Sequence, residues 1–443
     1  SFMAAVSDMA DRVAARLRRF GSGNNGMTSS AAQRPALLFL SPVWPSLTGN
    51  GLAMRAAHVS RALAKRFELR LAVLSSEPAP PDLAANVPWI ASSEALPAAA
   101  DTHYHLISRV ADPKMRLRAF AAYPRPVDSC LVSSAAAKRV AELARSVAHV
   151  HVMRLYLAPL LDGLDVDHLR SLTLDSDDDD AAYHRRRHDA LDPVLEADER
   201  AFERAEEAKY EDMKADWLPR FDRVFVAAER DTGGMAGAAA VSCLPNIMEE
   251  RMLEAAPASD CLRLMFVGSL RYPPNARAVG WLSDQLAPAL ERLRAEPFEL
   301  AVCGAGLVDG RDLHPRLAVR GYVDDLAQVY AESDVALVPL TYGSGTPLKL
   351  LEAMPLGVPV VATSFAAAAI GAAHGEHLLI ADDADETARC CIALKRDADL
   401  RRRLAATASR LVKTRFSTDA LDAAVSAAFA GALGEGLVHV VRR

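Results

Sequence analysis

The chain has 443 residues, 51 lysines and arginines against 57 aspartates and glutamates, and a formal net charge of −6. Its 51% apolar and 24% charged residues are the balance of a soluble globular protein and exclude a disordered, collagenous or disulfide-stapled chain, while the length favours two domains, since one core seldom outgrows about 250–300 residues. The mild acidity argues against general nucleic-acid binding, which needs a basic face, and no run reaches the ~18–20 uncharged apolar residues of a membrane span.

Near the N-terminus Met9, Val13, Leu17 and Phe20 recur at helical spacing, with Arg12, Arg16 and Arg19 on another face. Residues 8–20 therefore predict a short basic amphipathic helix, which can lie on an anionic membrane surface or pack on the body of the protein. The Gly-, Ser- and Asn-rich residues up to 34 read as a linker, so 1–34 stands apart as helix plus linker. The run Ala36–Leu40 is continuously apolar, as for a strand buried on both faces. A loop with Pro42, Pro45, Gly49 and Gly51 follows, then a helix over 52–65 and a strand over 68–74. That strand–glycine loop–helix–strand order predicts a parallel sheet.

Residues 75–100, rich in Pro and Ala, give no clear element. A helix over 134–147 leads into a strand at Val150-His151-Val152, and Leu172-Thr173-Leu174 runs as a strand into Asp175. Residues 181–216 read as one or two solvated helices, and Arg223–Val226 as the last clear strand of this half. Leu244-Pro245-Asn246 is a candidate hinge. Beyond it strands are predicted at 262–268, 298–303, 317–319, 335–338, 358–362 and 378–380. They alternate with helices at 276–293, 325–333, 347–356, 384–396 and 398–412, and a last helix spans about 417–433. Strands alternating with helices in both halves predict two doubly wound, Rossmann-like α/β domains facing across a cleft. None of the six cysteines forms a Cys-x-x-Cys pair, as expected of reduced thiols in a cytoplasmic protein.

The segment Gly343-Ser344-Gly345-Thr346-Pro347-Leu348-Lys349 follows a strand and opens a helix. Thr346 suits the N-cap and Pro347 the first helical position. Free amides there favour a phosphate. Lys349 stands against the dipole preference of a helix start, and an anionic ligand would rationalise it. Glu352, one turn on, can accept two hydroxyl hydrogen bonds, as from a ribose.

At this segment the chain resembles the retaining GT-B glycosyltransferases of family 4, the bacterial group 1 set. The resemblance rests on Thr346–Met354, Gly357-Val358-Pro359-Val360-Val361, Phe266-Val267-Gly268-Ser269, Pro274-Asn275, Gly375–Leu379, the first glycine loop Gly49-Asn50-Gly51 with Arg55, and the hinge. It implies an acceptor-side domain over 35–243, a donor domain over 247–415, and a C-terminal segment, 416–443, returning to the first domain. It also implies transfer of a sugar from a nucleoside diphosphate sugar to an acceptor hydroxyl with retention of configuration, in bacterial glycan or glycoconjugate synthesis. No cofactor or metal is expected; the nucleotide sugar is a co-substrate, and glycan or lipid-linked hydroxyls are the expected acceptors. The diphosphate would lie against Gly345, Thr346, Pro347 and Leu348, with Lys349 or Arg271 adding charge and Gly268 close by. Glu352 would hold the ribose, Tyr322 and Val323 would meet the base, and Gly49, Asn50 and Gly51 would close over the phosphates. The family's first glutamate is Ser344 here, which puts the choice of sugar in question. Ser344, Glu352 and His151 form the candidate catalytic set.

His149 and His151 flank Val150; a histidine there can face the cleft or sit satisfied inside the fold. Arg154 can serve a phosphate or a carboxylate. Asp175 and Asp177–Asp180 form an acidic run that invites a Mg²⁺ reading, but neighbours in a strand point to opposite sides. A solvated loop neutralised by His184–His188 is the reading preferred here, with Asp175 able to reach the cleft. An epimerase or hydrolase on the same fold, or a non-catalytic partner subunit, are the competing functions.

Overall fold

The computed structural model describes residues 34–248, 259–293, 297–306, 312–323 and 325–430. The predicted basic helix over 8–20 lies outside them. The first sheet contains β1 (Ala36–Ser41), β2 (Glu68–Val73), β3 (Ile90–Ala95), β4 (His149–Met153), β5 (Ser171–Asp177), β6 (Arg223–Val226) and β7 (Val241–Cys243). Its order is β3-β2-β1-β4-β5-β6-β7, and every described pairing is parallel. The second holds β8 (Leu262–Val267), β9 (Phe298–Cys303), β10 (Leu317–Gly321), β11 (Val335–Val338), β12 (Val360–Ala362) and β13 (Leu379–Ile380), ordered β10-β9-β8-β11-β12-β13 and again parallel. Both are Rossmann-like, with helices supplying the crossovers. In each sheet the chain order reverses beside its first strand, between β1 and β4 and between β8 and β11. Ligands of such sheets bind at the carboxyl ends of the strands beside that switch. The loops holding Gly49–Gly51, Arg154, Gly268 and Gly343–Thr346 all leave the sheets there.

Two apolar layers cover the faces of the first sheet, and a third cluster fills the second domain. The last described helix, Thr418–Phe429, packs Leu421, Val425 and Phe429 into the first-domain layer that holds Phe67 and Phe225. The Phe429 ring meets Phe67 edge-on at 5.4 Å between centroids. Burying such side chains contributes about 1.5–3 kcal/mol each. Arg61 donates to Thr418 Oγ1 (3.1 Å), and Lys65 pairs with Asp422. The returning strand of chain lies beside the outgoing one, where Met248 N–H donates to the Phe416 carbonyl (2.9 Å).

Several expectations are corrected. The Pro- and Ala-rich stretch contains β3, an edge strand exposed along most of its length. β7 follows β6, so Arg223–Val226 is not the last strand of its half. Two helices, Thr102–Ser108 and Pro113–Ala121, occupy a stretch with no predicted element. The charged region forms Asp180–Ala190 and Ala197–Trp217, but the second helix is not simply solvated: Glu203, Glu206, Tyr210 and Lys214 are buried on it. Ion pairs from Arg187 to Glu203 (2.8 Å) and Lys209 to Glu206 (2.6 Å) make that burial affordable. Among the described residues no helix is long and apolar enough to cross a membrane.

Candidate functional site

On the second-domain wall, Gly268 lies where a Cβ would come within 2.5 Å of Asn275 Nδ2. The absent side chain lets Asn275 tuck under the loop and donate to the Ser269 carbonyl (2.9 Å). Its Oδ1 accepts from Lys349 Nζ (3.1 Å), and that ammonium lies 5.4 Å from the centre of the Phe266 ring. Lys349 forms no ion pair among the described residues. Burial lowers its pKa to about 8, with Glu352 pulling the other way. Glu352 is itself pushed up by burial, against the pull of Lys349 and a hydrogen bond from Tyr330. The Tyr330 hydroxyl sits 3.4 Å from both Glu352 Oε2 and the Lys349 carbonyl. A partly buried cation that rests on a neutral amide leaves its charge to be met by an anion.

The helix after the turn is shorter than predicted, Leu348–Ala353, and Pro347 takes the N-cap position without a side-chain bond. Thr346 is thus not the cap. Its hydroxyl is buried and has no hydrogen-bond partner among the described residues. So short a helix carries a small dipole, which leaves Lys349 and the turn amides as the attraction for an anion. Ser344 N–H donates to the Tyr272 hydroxyl (3.3 Å), and Tyr272 stacks on Tyr183 of the first domain at 6.2 Å. Arg271 and Tyr322 are exposed, and Val323 packs partly against the second-domain core.

From the opposite wall, Gly51 comes so close to the turn that a Cβ would stand 2.8 Å from Leu348 Cδ1. The two glycine loops therefore face one another. Asn50 caps the helix Gly51–Ala64 through Ala53 N–H (2.8 Å), and Gly49, at φ +101°, makes the bend before it in open space. Asp178 Oδ1 lies 2.0 Å from where a Cβ on Gly345 would stand. With φ +55° as well, that position admits glycine alone.

The acidic run is not a solvated loop. Arg55, inside the first domain, holds Asp175 with two bonds (2.7 and 2.9 Å) and reaches Asp177 (3.1 Å), the Leu244 carbonyl (3.0 Å) and Asn246 Oδ1 (3.0 Å). Arg154 pairs with Asp177 (3.3 Å), Asp178 (3.1 Å) and Asp180, and Lys214 pairs with Asp179 (3.2 Å). The neutralising cations are these three; His184 and Arg187 turn instead to Glu203. Asp175 is consumed by Arg55 and does not reach the cleft. Carboxylates still outnumber cations here, and burial pushes Asp177 and Asp180 up to about 7, with Asp178 adding to the rise in Asp177. Arg154 and Asp177 are the described non-glycine residues with positive φ (+73° and +63°), and they are bonded to each other.

His151 does not face the cleft. It is fully buried, with Nδ1 2.8 Å from Thr173 Oγ1 and its ring 5.1 Å from Phe39. Burial lowers its pKa to about 4. His149 is equally enclosed, beside Ser171 (2.7 Å). Both are structural histidines. Three first-domain residues touch the turn in a way that sequence reasoning did not foresee: Asp178 and Arg186, read there as parts of a charged loop, and Arg230; Tyr183 reaches the same wall through Tyr272. Arg186 donates to the Gly343 carbonyl (3.1 Å) and Arg230 to the Gly345 carbonyl (2.8 Å). The charge density of 175–188 hinted at Asp178 and Arg186, and nothing in the sequence pointed to Arg230.

Two Rossmann-like domains closing on each other's glycine loops define the GT-B architecture. Comparison with known proteins agrees. Residues 261–397 match the family model of glycosyl transferases group 1. A 133-residue stretch is 26% identical to an uncharacterized 44.6 kDa protein of the cps region of Klebsiella pneumoniae, covering 27% of this chain and 34% of that protein; the match thus spans about a third of the relative's length. Among solved structures, sucrose-phosphate synthase of Thermosynechococcus elongatus superposes with a TM-score of 0.63 at 14% identity, over 90% of this chain and 99% of that one. HepE of Anabaena, in complex with UDP-glucose, gives 0.60 at 13%, over 90% and 100%. WaaG, a glycosyltransferase involved in lipopolysaccharide biosynthesis, gives 0.54 at 15%, over 88% and 99%. The fold is GT-B, and the family match supports a glycosyltransferase.

Proposed function

We propose that the protein transfers a sugar from a nucleoside diphosphate sugar to an acceptor hydroxyl, with retention of configuration and without a metal ion, in cytoplasmic synthesis of a glycan or glycoconjugate. The observation that carries this reading is Lys349: a partly buried ammonium at the base of a glycine turn, bonded to a neutral amide. A diphosphate placed against Gly345–Leu348 meets that charge, and the negative charge that grows on the leaving nucleoside diphosphate is stabilised by fixed donors already in place. Glu352, one helical turn on, takes the ribose hydroxyls. The acceptor enters from the first-domain side of the cleft.

Thermal shift with UDP, GDP, ADP and dTDP and their hexose conjugates tests the reading. The right ligand at a hundred times its Kd should add about 2.7 kcal/mol of stability. Incubation of that donor alone distinguishes an epimerase, which needs no acceptor. NMR of the product's anomeric proton tests retention, and turnover unchanged in EDTA tests metal independence. No shift with any nucleoside diphosphate would overturn the assignment.

A further inference from the structure

The donor turn is not held by its own domain alone. Arg230 donates one bond to the Gly345 carbonyl (2.8 Å) and another to the Phe365 carbonyl (3.0 Å), with its guanidinium 4.4 Å from the Phe365 ring centre. Arg186 donates to the Gly343 carbonyl (3.1 Å) and reaches the same ring at 5.7 Å. Both arginines belong to the first domain; Gly343, Gly345 and Phe365 belong to the second. A trans peptide unit is planar, so its carbonyl and the following N–H point in opposite directions. Whatever grips the Gly345 carbonyl therefore aims the Thr346 amide away from the grip. Gly345 has no side chain to resist rotation and sits at φ +55°, so this plane depends on outside contacts for its orientation. Thr346 follows it with a buried hydroxyl that has no partner among the described residues.

We propose that Arg230 is a positioning residue of the donor site: by fixing the Gly345–Thr346 peptide plane from across the cleft, it presents the Thr346 amide and hydroxyl to the donor's diphosphate. This rests on the reading that the diphosphate lies against Gly345–Leu348. It follows that the diphosphate subsite is complete only when the domains are closed, whereas the nucleoside subsite around Glu352 belongs to the second domain alone.

The test is calorimetric titration of the wild type, Arg230→Ala and Arg230→Lys with the nucleoside diphosphate selected by the thermal-shift panel and with the corresponding nucleoside. Arg230→Ala should weaken diphosphate binding about tenfold, the scale of a lost bond to a charged donor, and leave the nucleoside affinity unchanged. Arg230→Lys keeps the charge and one donor and should recover part of the loss, leaving diphosphate affinity about threefold below wild type. Arg415→Ala is the control. Arg415 also spans the domains, through Glu229 (3.1 Å), but does not touch the turn, so its removal should leave both affinities unchanged. Equal weakening of diphosphate and nucleoside in Arg230→Ala, or equal weakening by Arg230→Ala and Arg415→Ala, would overturn the proposal. Should Arg230→Ala fail to fold, Arg230→Lys decides: a loss of about threefold confined to the diphosphate supports it, and wild-type affinity overturns it. A wild type that binds no nucleoside diphosphate would refute the donor-site reading itself, an outcome separate from any difference between variants.

Discussion

Raising the pH from 7 to 9 should weaken nucleoside diphosphate binding about tenfold, and Lys349→Met should abolish that dependence. Burial sets the Lys349 pKa near 8 in the free protein, so about nine sites in ten carry the proton at pH 7 and about one in ten at pH 9. If the diphosphate needs the ammonium, affinity follows that fraction, and binding at pH 9 takes up about one proton. The same burial has a cost. Relative to the ordinary 10.5, holding the proton at pH 7 destabilises the unliganded fold by up to about 3 kcal/mol. The sign follows from a folded-state pKa below the unfolded one: stability is full above 10.5 and is lost as pH falls through 8. Lys349→Met should therefore raise the stability of the unliganded protein at pH 7 while it weakens the ligand. Calorimetry at pH 7, 8 and 9 in buffers of different ionisation enthalpy gives both affinity and proton uptake, and urea unfolding gives the stability. Any titration of the ligand itself is shared by the Lys349→Met variant and subtracts out. Affinity within twofold at pH 7 and pH 9, or the same slope in both proteins, would refute the reasoning.

Other outcomes follow from the first-domain wall. The pKa values of His149 and His151 are lowered by burial from 6.5 to about 4, so stability should be lost as pH falls from 6.5 through 4; urea unfolding at pH 7 and pH 4.5 should show it, with a shallower loss in His151→Phe. Asp177 has the opposite sign. Raised by burial from 3.8 to about 7, it contributes stability at low pH that disappears as pH rises through 7. Asp177→Asn, which tolerates the left-handed backbone, should come closest to the wild type near pH 3.5, below the unfolded pKa of 3.8, and exceed it by a margin that grows as pH rises towards 7. Gly345→Ala puts a Cβ against Asp178 Oδ1 and should cost roughly 1–3 kcal/mol; the further change Asp178→Ala should return part of it, as a double-mutant cycle by thermal unfolding would measure.

The parallel strands were legible because strands covered on both faces are written as unbroken apolar runs; Ala36–Leu40, Leu300–Cys303 and Val335–Val338 carry that pattern. The edge strand Ile90–Ala95 was not, since Ser92, Ser93 and Glu94 write its exposure instead. The turn Gly343–Thr346 announced itself through small residues beside a lysine in an odd place. The acidic run misled because its partners, Arg55, Arg154 and Lys214, lie far off in sequence. Spacing cannot tell a solvated aspartate from one bonded to an arginine 120 residues away. His151 failed for a related reason: in a strand read as part of the cleft, nothing local reveals that Phe39 and Thr173 close over it. Thr346 looked like a cap, but a proline behind it took the capping position.

The returning helix Thr418–Phe429 has a consequence for biosynthesis. A ribosome completes the first sheet long before it reaches Leu421, Val425 and Phe429, and the whole second domain is made in between. Until then the nascent chain carries an uncovered apolar patch around Phe67 and Phe225, open to chaperones and to aggregation. The first domain, though first to emerge, is the last to be sealed, and that final event also ties the second crossing of chain beside the first. Closure of that core and assembly of the two-stranded hinge are thus coupled, and shortening the helix Thr418–Phe429 would damage the domain that was synthesised before the one it follows.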